Sequence, residues 1–220
     1  VSLDGQLRWK AVTVSEQLSR LGHVERAVPV TRVPGDEDLG GFHWRTRIEM
    51  IADDDGRPSM RRRGSHTRVP LDTMPLASEA LLSVADAERV WDGGFEPGSQ
   101  IRLSVPEPRG GASIGDNYAV LVDGELRAGS RRLIECAAIA GAAFEYEVDA
   151  NGFWQVHRQA PIELAGHVID LARRELDGAA SACIWDLYSG SGLFTLPLAT
   201  LAAPRTRMRL AFGLDDFPWD

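Results

Sequence analysis

Along this chain the repeat of apolar positions changes period twice, from helical to alternating and back. Leu7, Ala11, Val14, Leu18 and Leu21 recur at helical spacing, predicting a first amphipathic helix with Gly22 as its C-cap. Residues 33–41 are rich in Pro, Gly and Asp and read as a loop. From Phe42 the period drops to two. Trp44, Thr46, Ile48 and Met50 alternate with Arg45, Arg47 and Glu49, which predicts a half-exposed strand with two arginines on one face. Asp54-Asp55-Gly56 reads as a hairpin turn into a second strand carrying Arg61, Arg62 and Arg63, and Gly64-Ser65 as a turn before a short strand over 67–70. Residues 78–90 have helical character around Leu81, Leu82 and Val84. Strand signals return at 101–105 and 118–122, with Asp123-Gly124 as the next hairpin turn, and residues 109–115 form a glycine-rich connector. Phe144, Tyr146 and Val148 mark a further strand, and Asn151-Gly152 turns it into 153–157. The helical period then resumes over 161–176 through Ile162, Ala165, Ile169 and Leu176.

The stretch 182–195, A-C-I-W-D-L-Y-S-G-S-G-L-F-T, combines an apolar run read as a buried strand, a small-residue turn and the opening of a helix expected over 193–201. This strand–turn–helix order suits the first unit of a nucleotide-binding α/β sheet, because the glycines let backbone approach a ligand with no Cβ in the way; by itself the pattern also fits a plain strand-to-helix turn. A second parallel strand is expected around 205–214. It ends at Asp215, 23 positions beyond Gly192, near the ~20 typical of a ribose-binding acid; the plainer reading of Asp215 is a solvated carboxylate. The fold class is therefore α/β. A helix plus an antiparallel β-rich (α+β) domain occupies 1–155, and the incomplete N-terminal part of a Rossmann-like domain occupies 156–220.

Composition narrows the partners only slightly. With 220 residues and 44% hydrophobic content, one good core or two small ones are within reach. A net charge of -8 excludes a global basic field, although Arg45, Arg47 and the 61–63 run allow a local one. Cys136 and Cys183 lie in apolar context without metal spacing, and the five histidines have none either. The two cysteines point to a reducing, cytoplasmic location. No apolar run approaches the ~20 residues of a membrane span, and no signal peptide is visible. A start at Val1 in a helical pattern leads us to expect a longer parent protein.

The pairing of G-F-W-Q-V-H at 152–157 with W-D-L-Y-S-G-S-G-L-F-T-L-P-L-A one helix later resembles the S-adenosylmethionine (SAM)-dependent RNA uracil-C5 methyltransferases of tRNA and 23S rRNA. The first helix, the Trp-Arg-x-Arg strand, the Asp-Gly hairpin and the arginine-rich second strand are similar to that family's central RNA-facing domain. The likeness covers most of residues 1–200 and fades beyond. It implies that Gln155 contacts SAM near the target base, that Tyr188 lines the cofactor pocket, and that Gly190, Gly192 and Leu193 wrap the methionine and ribose portions. Asp215 would be the ribose acid, and Arg45, Arg47, Arg61, Arg62 and Arg63 would meet RNA phosphates.

Departures from the family pattern shape the rest of the expectation. Members attack uracil C6 with a cysteine thiolate and later use a carboxylate base, both located beyond the part of the pattern present here. Neither Cys136 nor Cys183 matches that position, so no catalytic residue is assigned. Where many relatives place a fourth iron–sulfur cysteine this chain has Met74, so such a cluster is not expected. The reading is of a fragment truncated at both ends, inactive by itself and inclined to self-associate through an incomplete sheet. The alternative is a non-catalytic RNA-binding remnant of such an enzyme. Two further readings stay open: a Rossmann-type enzyme on another substrate, and a reading frame broken near residue 200.

Overall fold

The computed structural model describes residues 1–177, 181–201 and 206–211. It has two compact units, Val1–His43 and one running from Trp44 onward. The first unit is built on helix α1 (Leu3–Gly22), whose N-cap Ser2 hydroxyl accepts from the Gly5 amide at 3.2 Å. The left-handed cap is His23 (φ 53°), one residue beyond the expected Gly22, which remains helical. Leu7, Ala11 and Leu18 are half-buried as their spacing predicts, but Val14 and Leu21 are exposed. Arg32 ion-pairs with Asp4 and Glu37, fastening the turns over 34–41 to the helix start.

The second unit begins with a six-stranded antiparallel sheet in the order β3-β2-β1-β4-β5-β6. Its strands are β1 (Arg47–Ala52), β2 (Pro58–Arg61), β3 (Arg68–Pro70), β4 (Gln100–Ser104), β5 (Ala119–Val122) and β6 (Glu125–Gly129). The period-two pattern sends Ile48, Met50, Ile101, Leu103 and Val120 to one side, where they pack with Leu81, Val84 and Ala85 of α2 (Glu79–Ala87). Ser78 caps α2 from its side-chain oxygen. The β1–β2 turn is held by Asp53, whose carboxylate accepts from the Arg57 amide at 2.8 Å and the Asp55 amide at 3.0 Å. The Arg57 amide bond is the main reason this carboxyl sits below its ordinary value.

The sheet departs from the sequence expectation at two places. β2 ends at Arg61, so Arg62 and Arg63 lie in the following turn rather than on a strand. β7 (Arg132–Ile139) was not foreseen, whereas β6 is the returning strand that a hairpin turn at Asp123-Gly124 implies. β7 pairs along its length with β8 (Ala142–Asp149) as a separate antiparallel hairpin. Asn117 occupies part of the outer edge of β7, accepting from the Ile134 amide and donating to its carbonyl, both at 2.8 Å. This satisfies groups that would otherwise form an open edge.

The predicted α/β portion follows. Helix α3 (Ala160–Leu176) buries Ala165 and Ile169 against the β7–β8 hairpin. β9 (Ala182–Leu187) then leads through the glycine turn to the short α4 (Thr195–Ala199), and β10 (Thr206–Ala211) pairs parallel with β9. Two expectations need correction here. β9 is not buried on both faces: Ile184 packs inward, while Cys183, Trp185 and Leu187 are exposed on its other side. The helix expected over 193–201 is only five residues long, because Leu193 and Phe194 remain in the turn. Asp215 lies outside the described residues.

One glycine of the sheet is required by space as well as by conformation. Gly129 has φ of 80°, and a Cβ there would stand 2.0 Å from the Tyr118 carbonyl oxygen. We expect Gly129→Ala to lower stability by about 3 kcal/mol, from the combined backbone strain and overpacking. Urea unfolding reads this directly, and a midpoint unchanged from wild type would contradict it.

Candidate functional site

The stretch 152–157 is fixed from both sides before it meets anything else. After β8 the chain turns at Asn151-Gly152, with the Gly152 amide bonded to the Asp149 carbonyl at 2.9 Å. Residues 153–157 then run alongside the entry to β1. The Thr46 amide donates to the Val156 carbonyl at 2.8 Å, and the Arg158 amide to the Trp44 carbonyl at 2.9 Å. The rings of Trp44 and His157 stack at 5.3 Å. Phe153 is 77% exposed, Trp154 is 3% exposed and Gln155 is half-buried, so neighbouring side chains point in different directions.

Tyr146 on β8 joins this stretch to the glycine turn. Its ring packs on Trp154 at 5.1 Å, and its hydroxyl donates to the Leu193 carbonyl at 3.2 Å. Burial pushes the Tyr146 phenol up to about 12, so it remains a donor across the physiological range. From the other side, the Ser191 hydroxyl donates to the Phe153 carbonyl at 3.3 Å. The two sequence motifs therefore meet at one corner. Gly190 (φ 55°) and Gly192 (φ 82°) give the turn its shape, and a Cβ on Gly190 would meet nothing closer than 3.8 Å. Tyr188 adopts a left-handed conformation (φ 57°) with its ring 64% exposed beside the turn, a strained setting for a residue that is not glycine. Leu193 contributes its backbone only, since its side chain is buried in the core with Ile169 and Leu198. Asp186, which was not singled out from the sequence, is buried at the end of β9 and accepts a short hydrogen bond from Thr195, bracing the turn internally. Its place between the apolar run and the glycine turn was visible in the sequence.

The arginines separate into two groups. Arg45, Arg47 and Arg102 line a cleft of about 330 Å³ together with Glu49 and residues 151–154. Arg102 is held by Glu49 at 2.5 Å and by Asn151 at 2.6 and 2.7 Å, while Arg45 lies over the Trp44 ring at 5.3 Å. Arg47 differs from the solvent-facing arginine that the alternation led us to expect. Only 7% exposed, it bonds Glu135 at 3.3 Å and the Gly152 carbonyl at 3.0 Å. Burial pushes the Arg47 guanidinium down and the Glu135 carboxyl up, each opposed by the attraction of the other. Arg61, Arg62 and Arg63 are exposed, and Arg61 borders a neighbouring groove that shares Glu49 with the first. Glu135 and Arg102 were not picked out from the sequence. Glu135 sits on the unforeseen β7, where alternation turns it inward.

The two thiols differ in setting. Cys136 is pushed up by partial desolvation and by Glu145 and Glu135, which disfavours a thiolate. Cys183 stands on the exposed face of β9. Met74 packs in the sheet core. Among the described residues no cluster of three or more His, Cys, Asp or Glu is placed to hold a metal, and no helix is long and apolar enough to cross a membrane.

No family model matches the chain. A protein of Bifidobacterium longum named as an uncharacterized RNA methyltransferase is 70% identical over 212 residues, covering 94% of this chain and 49% of the relative. By descent, the chain belongs to the same family as that protein. A Streptomyces coelicolor protein of the same name is 34% identical over 215 residues, covering 88% of this chain and 46% of its own length. The chain thus spans about half the length of the curated relatives it matches. Among solved structures, a tRNA (uracil-54, C5)-methyltransferase of Pyrococcus abyssi in complex with S-adenosyl-L-homocysteine aligns with a TM-score of 0.56 at 15% identity. That alignment covers 93% of this chain and 63% of the other. The likeness is one of fold, and it spans both the antiparallel sheet and the α/β portion.

The buried ion pair yields a stability prediction. Glu135→Gln leaves the Arg47 charge buried without its counterion and is expected to cost about 3–5 kcal/mol, whereas Arg47→Met combined with Glu135→Met is expected to restore most of that loss. Urea titrations of the three proteins check this. A double variant as unstable as the single one would show that the pair is not the unit that matters.

Proposed function

We propose that this chain contributes the central β region and the first part of the cofactor domain of a SAM-dependent RNA uracil-C5 methyltransferase acting on tRNA or rRNA. Kinship with proteins named RNA methyltransferases supports the substrate class, and the fold likeness to a uracil-C5 enzyme of tRNA supports the base and position. The single observation carrying the reading is the corner at which residues 152–157 meet the glycine turn through Tyr146 and Ser191.

The residues present suit an S-adenosyl ligand. A turn made of two left-handed glycines, open on the Gly190 side, admits a sulfonium amino acid and its ribose close to backbone, as a Cβ-bearing turn would not. In this arrangement Gln155 offers an amide to the cofactor and the target base. Tyr188 covers the outer side of the turn, and Gly190, Gly192 and the Leu193 backbone form its floor. Asp215 is retained as the ribose acid of the proposal. When bound, SAM supplies an electrophilic methyl group; this chain's own residues orient it and hold the turn closed. No residue here is assigned as nucleophile or base. On the RNA side, the exposed Arg61, Arg62 and Arg63, with Arg45 at the cleft, form a local basic face on an acidic protein, where phosphate contacts position the substrate.

Calorimetric titration with S-adenosylhomocysteine tests the cofactor assignment. Saturable binding is expected, weakened about tenfold or more in Gln155→Ala, the loss of roughly one charge-assisted hydrogen bond. In parallel, replacing Arg61, Arg62 and Arg63 together by Ala should weaken RNA binding and reduce the slope of log K against log salt by about 2. A folded chain that binds RNA with that salt dependence but ignores S-adenosylhomocysteine would favour a non-catalytic RNA-binding module instead. A chain that binds neither would remove both readings.

A further inference from the structure

We infer that Arg47, held by the buried carboxylate of Glu135, is a positioning residue that clamps the stretch presenting Gln155, rather than a contact to RNA phosphate. The inference rests on the cofactor corner proposed above. Its starting point is where the Arg47 guanidinium is committed. One terminal nitrogen donates to Glu135 at 3.3 Å and the other to the Gly152 carbonyl at 3.0 Å, while the side chain is only 8% exposed and its Nε is shielded without a partner among the described residues. A phosphate approaching from the cleft would have to compete with the Glu135 charge and draw the group out of a buried site, at the cost of separating the pair. Arg61, Arg62 and Arg63 pay no such penalty.

The Gly152 carbonyl is the point at which the chain leaves the β8 turn. Anchors follow along the same stretch. Ser104 donates to the Ala150 carbonyl at 3.1 Å, Arg102 holds Asn151, Thr46 reaches the Val156 carbonyl from its amide and hydroxyl at 2.8 and 3.2 Å, and Trp44 stacks on His157. Arg47 is the one link among these that is itself oriented by a second buried charge. Glu135 comes from β7, on the hairpin whose other strand carries Tyr146. The relay Glu135–Arg47–Gly152 therefore ties the Gln155 stretch to the same hairpin that holds Leu193 of the glycine turn. Gln155 and the turn are referenced to one rigid element, which is what a preorganised cofactor site requires.

The test uses the whole chain with Arg47→Met/Glu135→Met, which removes the clamp without stranding a charge, and Arg47→Lys, which keeps one donor for Gly152. Hydrogen exchange followed by mass spectrometry reads the clamp without any ligand. Peptides covering 150–158 should exchange at least tenfold faster in the double variant, with partial recovery in Arg47→Lys, while peptides of β4 and β5 stay protected. S-adenosylhomocysteine affinity should fall about tenfold in the double variant at an unfolding midpoint close to that of wild type, and recover in part with Lys. The salt slope for RNA should stay as in wild type. Unchanged exchange over 150–158 in a folded double variant would overturn the inference, as would a salt slope reduced by about 1, the signature of a lost phosphate contact. If wild type itself ignores S-adenosylhomocysteine, the cofactor reading fails by that result alone and the exchange pattern still decides the clamp.

Discussion

The arrangement depends on one long-range pairing, in which residues 44–46 run beside residues 156–158, more than a hundred positions later in the chain. Backbone amides and carbonyls buried in an irregular segment must find partners, and here each stretch supplies them to the other. Arg45 additionally bridges Ala77, so the start of β1, the cap of α2 and the approach to α3 converge on the same few residues. Without this seam, residues 153–157 would be a loose connector between a sheet and a helix. With it, Gln155 has a fixed address relative to β1.

The seam is unusually charged for a buried region. Arg47 and Glu135 are joined by Arg109, which bonds Gln159 and the Arg158 carbonyl, and by Arg158, which pairs with Glu107 at 3.5 Å. The Nε groups of Arg47, Arg109 and Arg158 are all shielded from solvent without partners among the described residues. Each such group costs about 1–3 kcal/mol relative to a satisfied one, so apolar side chains would give a more stable junction. What guanidinium groups provide instead is direction. A planar fork bonding a carboxylate and a carbonyl at once fixes the register of two backbone segments, which leucines do not.

Much of the fold was legible because it follows from local chemistry. The alternation around Ile48 and Met50, the Asp-Gly turns at 55–56 and 123–124, the apolar stripe of α3 and the strand–glycine–helix order after Ala182 each specify their element within a few residues. β7 was missed because Leu-Ile-Glu-Cys-Ala-Ala-Ile mixes weak strand formers, and its pairing with β8 supplies what propensity lacks. The exposed side of β9 was missed for a related reason: Cys183, Trp185 and Leu187 are apolar, and apolarity alone cannot say whether a covering layer is present. The candidate site was half legible. Motif spacing named Gln155 and the glycines, but not Tyr146, whose hydroxyl and ring join them from a strand that carries no motif.

The fate of the arginines follows from the same division between local and long-range information. Alternation along 44–50 places Arg45, Arg47 and Glu49 on one side of a strand, and an acidic chain of net charge -8 invites the thought that every clustered arginine serves a polyanion. Yet Glu135, Glu49 and Asn151 reach Arg47 and Arg102 from segments about fifty to ninety residues away, and neutralise or engage both. Among the described residues Arg61, Arg62 and Arg63 have no such partner, and their turn leads into the three residues of β3 at the sheet edge. Availability for phosphate is therefore set by distant carboxylates rather than by the local run of charge. A basic surface in this protein is what remains after its acids have chosen their partners.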